Sequence, residues 1–174
     1  MIEHIEIKAG DVGWQDAAPL LNAVWPPEIV ATLPWRDVAC AQPDRRVLAF
    51  DHANTIIGHV AIVIRNATWD DQAVIIGGIG GVATRDDCRR RGVARAAVAK
   101  GLEEIRAHNA DFALLFCEPR HAPLYQKLGW QAFEGHVLVM QPRGQVRFDV
   151  TDPYVFDLKT APRTGVLDLC GLPW

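Results

Sequence analysis

Residues 80–102, GGVATRDDCRRRGVARAAVAKGL, constrain the fold more than any other stretch: an apolar approach, a basic glycine turn and a helix follow in that order. Val82 and Ala83 close an apolar run that begins near Ala73, and after Arg91 the hydrophobic period changes from two to about 3.6. A strand therefore gives way to a helix, with Arg89, Gly92 and Ala94 in the turn and the first helical positions. Small residues at 92 and 94 let a phosphate approach the backbone, where free amides and the positive end of the helix dipole can receive it. Arg89, Arg90 and Arg91 raise the local potential, although three consecutive side chains cannot all point at one ligand. The same residues also fit an ordinary loop before an alanine-rich helix with a solvated basic face, and this segment alone does not choose. Its spacing is neither GxGxxG nor GxxxxGK(S/T), so what it offers is phosphate binding without hydrolysis.

A second signal lies downstream. The run DFALLFC (111–117) has a buried-strand pattern and follows a helix that ends near His108 and Asn109. In EPRHAPLYQKLGWQAF, residues 122–128 can form a short helix carrying Tyr125, which Gly129 ends. The next strand is expected from near Phe133 through His136, Leu138 and Met140. Upstream, residues 2–8, 46–50, 56–64 and 73–83 read as strands, with a turn at 51–54, and residues 14–24 read as a helix with Leu20, Leu21 and Val24 on one side. This order predicts an α/β (α+β) fold, a mixed sheet crossed by at least one helix.

At 174 residues and 49% hydrophobic, the chain suffices for one domain with a full core, 1–174, and is too short for two ordinary ones. Pro26, Pro27 and Pro34 predict an irregular wall after the first helix. The net charge of −3 argues against broad nucleic-acid binding and suits a cationic, amine-bearing small molecule. The arginines gather at 85–95 with no interleaved aromatics, which disfavours an RNA-binding surface. Cys40, Cys88, Cys117 and Cys170 show no CxxC spacing, and Cys117 and His121 lack a second ligand pair, so no metal site is expected. The first residues, MIEHIEIK, lack a secretory apolar region, which makes a reducing cytoplasm the default. No stretch reaches the ~18 apolar residues of a membrane span.

The RxxGxA turn at Arg89, Gly92 and Ala94, followed by LYQKLGW at 124–130, resembles the GCN5-related N-acetyltransferase (GNAT) superfamily over roughly residues 45–140. The resemblance implies an acyl-CoA N-acyltransferase fold, with a largely antiparallel central sheet flanked by helices and a C-terminal strand and tail from about residue 146. It implies acetyl-coenzyme A as acyl donor, held by Val82, Ala83, Thr84, Arg89, Arg90, Arg91, Gly92, Val93 and Ala94, with Tyr125 beside the thioester sulfur. The ending VFDLKTAPRTGVLDLCGLPW is similar to the aminoglycoside 2'-N-acetyltransferases, and residues 42–65 are similar to the nodulation-factor N-acyltransferases. Both families acylate amino sugars. The aminoglycoside enzymes carry a glutamate where this chain has Gly80, and an acidic residue before the terminal tryptophan where it has Gly171, Leu172 and Pro173.

An amine attacks a thioester only as its free base, so such a site needs a proton acceptor, a donor toward the carbonyl oxygen and an acid near sulfur. By resemblance Tyr125 is the acid and the Val82 amide polarises the carbonyl; Tyr125 otherwise reads as packing against Leu124 or Leu128. Glu118 is a candidate base and equally a solvated turn residue, and water can relay the proton instead. Asp37, Gly80 and Trp174 are candidate acceptor-binding positions, the last through its α-carboxylate; a surface carboxylate and a frayed end are the plainer readings of Asp37 and Trp174. Cys117 reads as a small hydrophobe at a strand end. The expected activity is acetyl transfer to a primary amine, on an amino sugar or aminoglycoside-like acceptor. Alternatives are a longer acyl donor or a non-catalytic coenzyme-A-binding module, and a homodimer is compatible with any of them.

Overall fold

A computed structural model describes residues 1–174. Its ten strands form one sheet: β1 (His4–Ala9), β2 (Arg45–Phe50), β3 (Ile56–Trp69), β4 (Gln72–Thr84), β5 (Phe112–Cys117), β6 (Gln131–Ala132), β7 (His136–Gln141), β8 (Gly144–Arg147), β9 (Asp152–Asp157) and β10 (Val166–Asp168). The helices are α1 (Trp14–Val24), α2 (Pro27–Val30), α3 (Val93–Ala107) and α4 (Ala122–Lys127). Across the sheet the order is β6-β9-β5-β4-β3-β10-β7-β8, with β2 also on β3 and β1 outside β2. Every pairing is antiparallel except β4 with β5 and β10 with β7. This is the mixed sheet that the element order predicts and, in being largely antiparallel, the one that the resemblance implies; the parallel β4–α3–β5 unit is its crossover.

Side-chain alternation explains why both faces are apolar at the centre. On β5, Ala113, Leu115 and Cys117 join the core that includes Ala97, Val98 and Ile105 of α3, whereas Phe112 and Leu114 join a second core with Phe133, Val137 and Leu167. A strand covered on both sides reads as one unbroken apolar run, which is what DFALLFC is. On β2, Val47 faces the α3 core while Leu48 and Phe50 pack with Ala17 of α1. α1 and α3 thus cover opposite faces.

Several boundaries differ from expectation. The strand expected to end at residue 64 runs to Trp69, because β4 and then β10 continue to pair with it. The strand expected from near Phe133 begins at His136: Phe133 is drawn into the second core and Glu134 donates its amide to the Arg163 carbonyl, so residues 133–135 cross between sheet edges. The proline-rich wall contains α2, with Pro27 at its first position, where a fixed φ suits a helix and no amide is needed. No helix is long and apolar enough to cross a membrane.

β4 and β5 pair only from Ile76–Phe112 to Ile79–Leu115. Beyond that point β4 stays with β3, and Phe116 and Cys117 of β5 stay with β9, so a slot opens between the two central strands.

Candidate active site

The slot continues into a cavity of about 780 Å³. One side of it is shaped by a β-bulge. His59 pairs with Ala83 and Ala61 with Gly80, which leaves Gly81 and Val82 together opposite Val60. Gly81 has φ +52, and a side chain there would point at the His59 ring at 3.3 Å instead of toward α3. Val82 has no register partner on β3 or β5. The bulge thus takes it out of the ladder at the mouth of the slot.

His59 and Arg46 hold this bulge, and neither is singled out by the sequence motifs. Both are buried, and they share the α1 face of the sheet. Arg46 Nη1 lies 3.0 Å from His59 Nε2, and His59 Nδ1 lies 2.7 Å from the Gly81 carbonyl. A guanidinium only donates, so Nε2 accepts and Nδ1 carries the proton donated to Gly81. Burial holds the His59 pKa down to about 4, with the Arg46 charge adding to the effect against the Gly81 hydrogen bond. Arg46 Nε donates to the Gly10 carbonyl at 2.7 Å, and its guanidinium stacks 5.1 Å from the Trp14 ring centroid. The only sequence signal was a pair of polar residues at inward positions of apolar strands.

At the foot of α3, Gly92 adopts φ +83 as the N-cap, and nothing lies within 4 Å of where its Cβ would be. This is an open turn against a helix N-terminus. Arg89 binds Asp86 at 2.7 Å, while Arg90 and Arg95 have no carboxylate within salt-bridge distance. Arg89, Arg90, Arg95 and Ala94 line the cavity together with Val82, Ala83 and Thr84. Val93 lines it too, but is otherwise a core residue packed with Ala49 and Ile57. Arg91 is exposed and lies outside the lining.

Tyr125 sits across the cavity on α4, only 7% exposed, edge-on to Trp130 with ring centroids 6.3 Å apart. Its hydroxyl has no hydrogen-bond partner within the chain. Burial, and secondarily the nearby Cys117, pushes its pKa well up, so it stays a protonated donor. The Cys117 thiol is itself pushed up to about 11 by burial and by Asp152 and Glu118, and is no nucleophile at neutral pH. Glu118 lines the cavity but is bound by Arg120 at 2.8 Å.

Trp174 accounts for Gly80. Its indole lies over β4, where a Cβ on Gly78 would overlap the ring and a Cβ on Gly80 would come within 3.1 Å of Cδ1 and 3.4 Å of the Trp174 carbonyl carbon. A larger residue at 80 would have to displace it. The preceding segment is pinned: Arg65 donates to the Leu172 carbonyl, and the Ala41 amide to the Pro173 carbonyl at 2.6 Å. Asp37 is bound to Arg36, is 87% exposed and lies outside the cavity.

An open glycine turn with free guanidiniums at one end of a slot, and a buried phenol at the other, suits a long phosphorylated donor whose reactive end must reach an acid. Comparison with known proteins agrees with this chemistry. Residues 7–133 match the family described as "Acetyltransferase (GNAT) domain". An aminoglycoside 2'-N-acetyltransferase of Mycolicibacterium fortuitum is 29% identical over 115 residues, which span 66% of this chain and 58% of that relative. Among solved structures, the GNAT family N-acetyltransferase YhbS of Escherichia coli, in complex with CoA, superposes with TM-score 0.62 at 16% identity, over 97% of this chain and 90% of that one. A Brucella melitensis GNAT family acetyltransferase in complex with acetyl-CoA gives TM-score 0.59 at 14% identity, covering 94% of each chain. At such identities the two structures show a shared fold.

Proposed function

Because this chain belongs to the GNAT acetyltransferase family, we propose that it transfers an acetyl group from acetyl-coenzyme A to a primary amine. The observation that carries this reading is that one continuous cavity joins the open Gly92 turn, the Val82 bulge and Tyr125. The residues present fit the donor: Arg90 and Arg95 are unpaired, and the space at Gly92 is open to a phosphate group.

When bound, the donor supplies an acyl carbon attached to a thiolate leaving group. Arg89, Arg90 and Arg95, with the amides that follow Gly92, hold its phosphates, and Thr84 lines the same end. The Val82 amide, at the bulge where the residue has no register partner, would stabilise negative charge on the carbonyl oxygen. The amine nitrogen would form a C–N bond as the C–S bond breaks; its surplus proton would pass to Glu118 directly or through water, Tyr125 would donate its proton to sulfur, and water would return the proton from Glu118 to the Tyr125 phenolate. The products are an amide and a free thiol. Arg120 holds the Glu118 carboxylate in an ion pair at 2.8 Å. The name of the M. fortuitum relative supports an amino-sugar acceptor, and the cavity lining supports an apolar one.

Calorimetric titration with acetyl-coenzyme A should show saturable binding, and thiol release should follow when an amine is added. No binding at millimolar donor would end this reading.

A further inference from the structure

Resting on acetyl transfer as the reaction, we infer that the acceptor is a small monoamine borne on an aromatic or aliphatic body, and that polyamines and aminoglycosides are poor substrates. The cavity has two apolar walls. Trp25, Ile29 and Trp35 form one, with the two indoles edge-on at 6.4 Å. Phe116, Phe148 and Trp174 form the other, with Phe116 4.6 Å from Phe148 and 5.9 Å from Trp174 between ring centroids.

Charge points the same way. Glu118 is the single acidic side chain in the cavity lining, and Arg120 already occupies it. Arg89, Arg90, Arg95 and Arg120 line the same cavity, and the Arg65 guanidinium lies 5.6 Å from the Trp174 ring centroid. Asp37, the nearby carboxylate in the sequence, faces solvent on Arg36. Apart from Glu118, the anionic group against this cavity is the Trp174 α-carboxylate beside Gly80, so an acceptor with several ammonium groups would bury more charges than the site can pair and meet arginines as well. A monoamine brings one charge, and it must shed that charge to react.

The walls also assist the chemistry. Desolvation lowers the pKa of an ammonium ion, so an amine drawn in by its apolar body is delivered closer to its free base. That lessens the need for a strong base and is consistent with glycine at position 80 and with a Glu118 ion-paired to Arg120.

The test measures binding and turnover separately. Affinities of 2-phenylethylamine, tryptamine, spermidine, glucosamine and kanamycin are measured calorimetrically on the protein saturated with coenzyme A, and thiol release is measured with acetyl-coenzyme A. The two arylalkylamines should bind and turn over at least about tenfold better than the other three. Ile29→Glu, at a wall position 44% exposed and therefore tolerant of charge, should weaken phenylethylamine and strengthen spermidine. Equal or better binding of spermidine, glucosamine or kanamycin overturns the inference, as does unchanged selectivity in Ile29→Glu. Phenylethylamine binding without thiol release from any amine would count against acetyl transfer while upholding the acceptor class.

Discussion

Tyr125 is the residue on which turnover should depend without donor affinity depending on it. Its hydroxyl is the protonated, unpartnered donor facing the cavity, so Tyr125→Phe should lower kcat about 100-fold and leave the KM for acetyl-coenzyme A within about twofold. Steady-state thiol release checks both numbers. Gly92 should behave in the opposite way. A Cβ there meets no neighbour, so the penalty of Gly92→Ala is backbone strain at φ +83, about 1–2 kcal/mol, together with a narrower approach for phosphate. Donor affinity should fall several-fold by calorimetry, with kcat at saturation nearly unchanged. The RxxGxA and LYQKLGW patterns made both residues legible, since each is a local arrangement of chain. His59 was not legible, because its partner carbonyl is 22 residues away and only the register shift brings the two together.

At the scale of elements, the bulge in β4 and the slot beside it stand on one neutral imidazole. His59 has an unfolded pKa near 6.5 and is held at about 4 when folded. Between those values the unfolded chain takes up a proton that the folded chain refuses, so stability is fully present above 6.5 and is lost as pH falls. From about pH 7 to about pH 5 the expected loss is about 2 kcal/mol, above the range in which the carboxylates titrate. Urea midpoints across that window should show this slope, and His59→Asn, which retains a donor and cannot titrate, should flatten it. A variant with an unaltered slope would remove His59 as its source. α1, the strand-to-helix passage of β4 and α3, and β5 follow strong local periods, and the sequence placed them within a residue or two. β8 and β10 did not show, because strands of four and three residues carry too little pattern of their own.

For the molecule as a whole, donor binding and stability are linked. A ligand at 100 times its Kd that binds only the folded chain adds about 2.7 kcal/mol, which for a domain of this size is a rise in Tm of roughly 5–10 °C. Thermal denaturation with acetyl-coenzyme A should show this shift in the wild type and in Tyr125→Phe, and a smaller one in Gly92→Ala. Gly78→Leu should reduce both acceptor turnover and stability, since its side chain needs the space of the Trp174 indole. The acceptor walls form at this scale: Trp35, Phe116, Phe148 and Trp174 come from four separate parts of the chain.

By itself the sequence determined the strand–turn–helix passage, the basic glycine turn that suits a phosphorylated donor, the short helix bearing Tyr125 and the α/β class, because each depends on residues close together in the chain. Only the tertiary structure decided that β4 and β5 part after Ile79 and Leu115, that His59 secures the bulge, and that the Trp174 indole covers the glycine at position 80. Those features depend on strand register and on contacts between distant residues, and no local period encodes either.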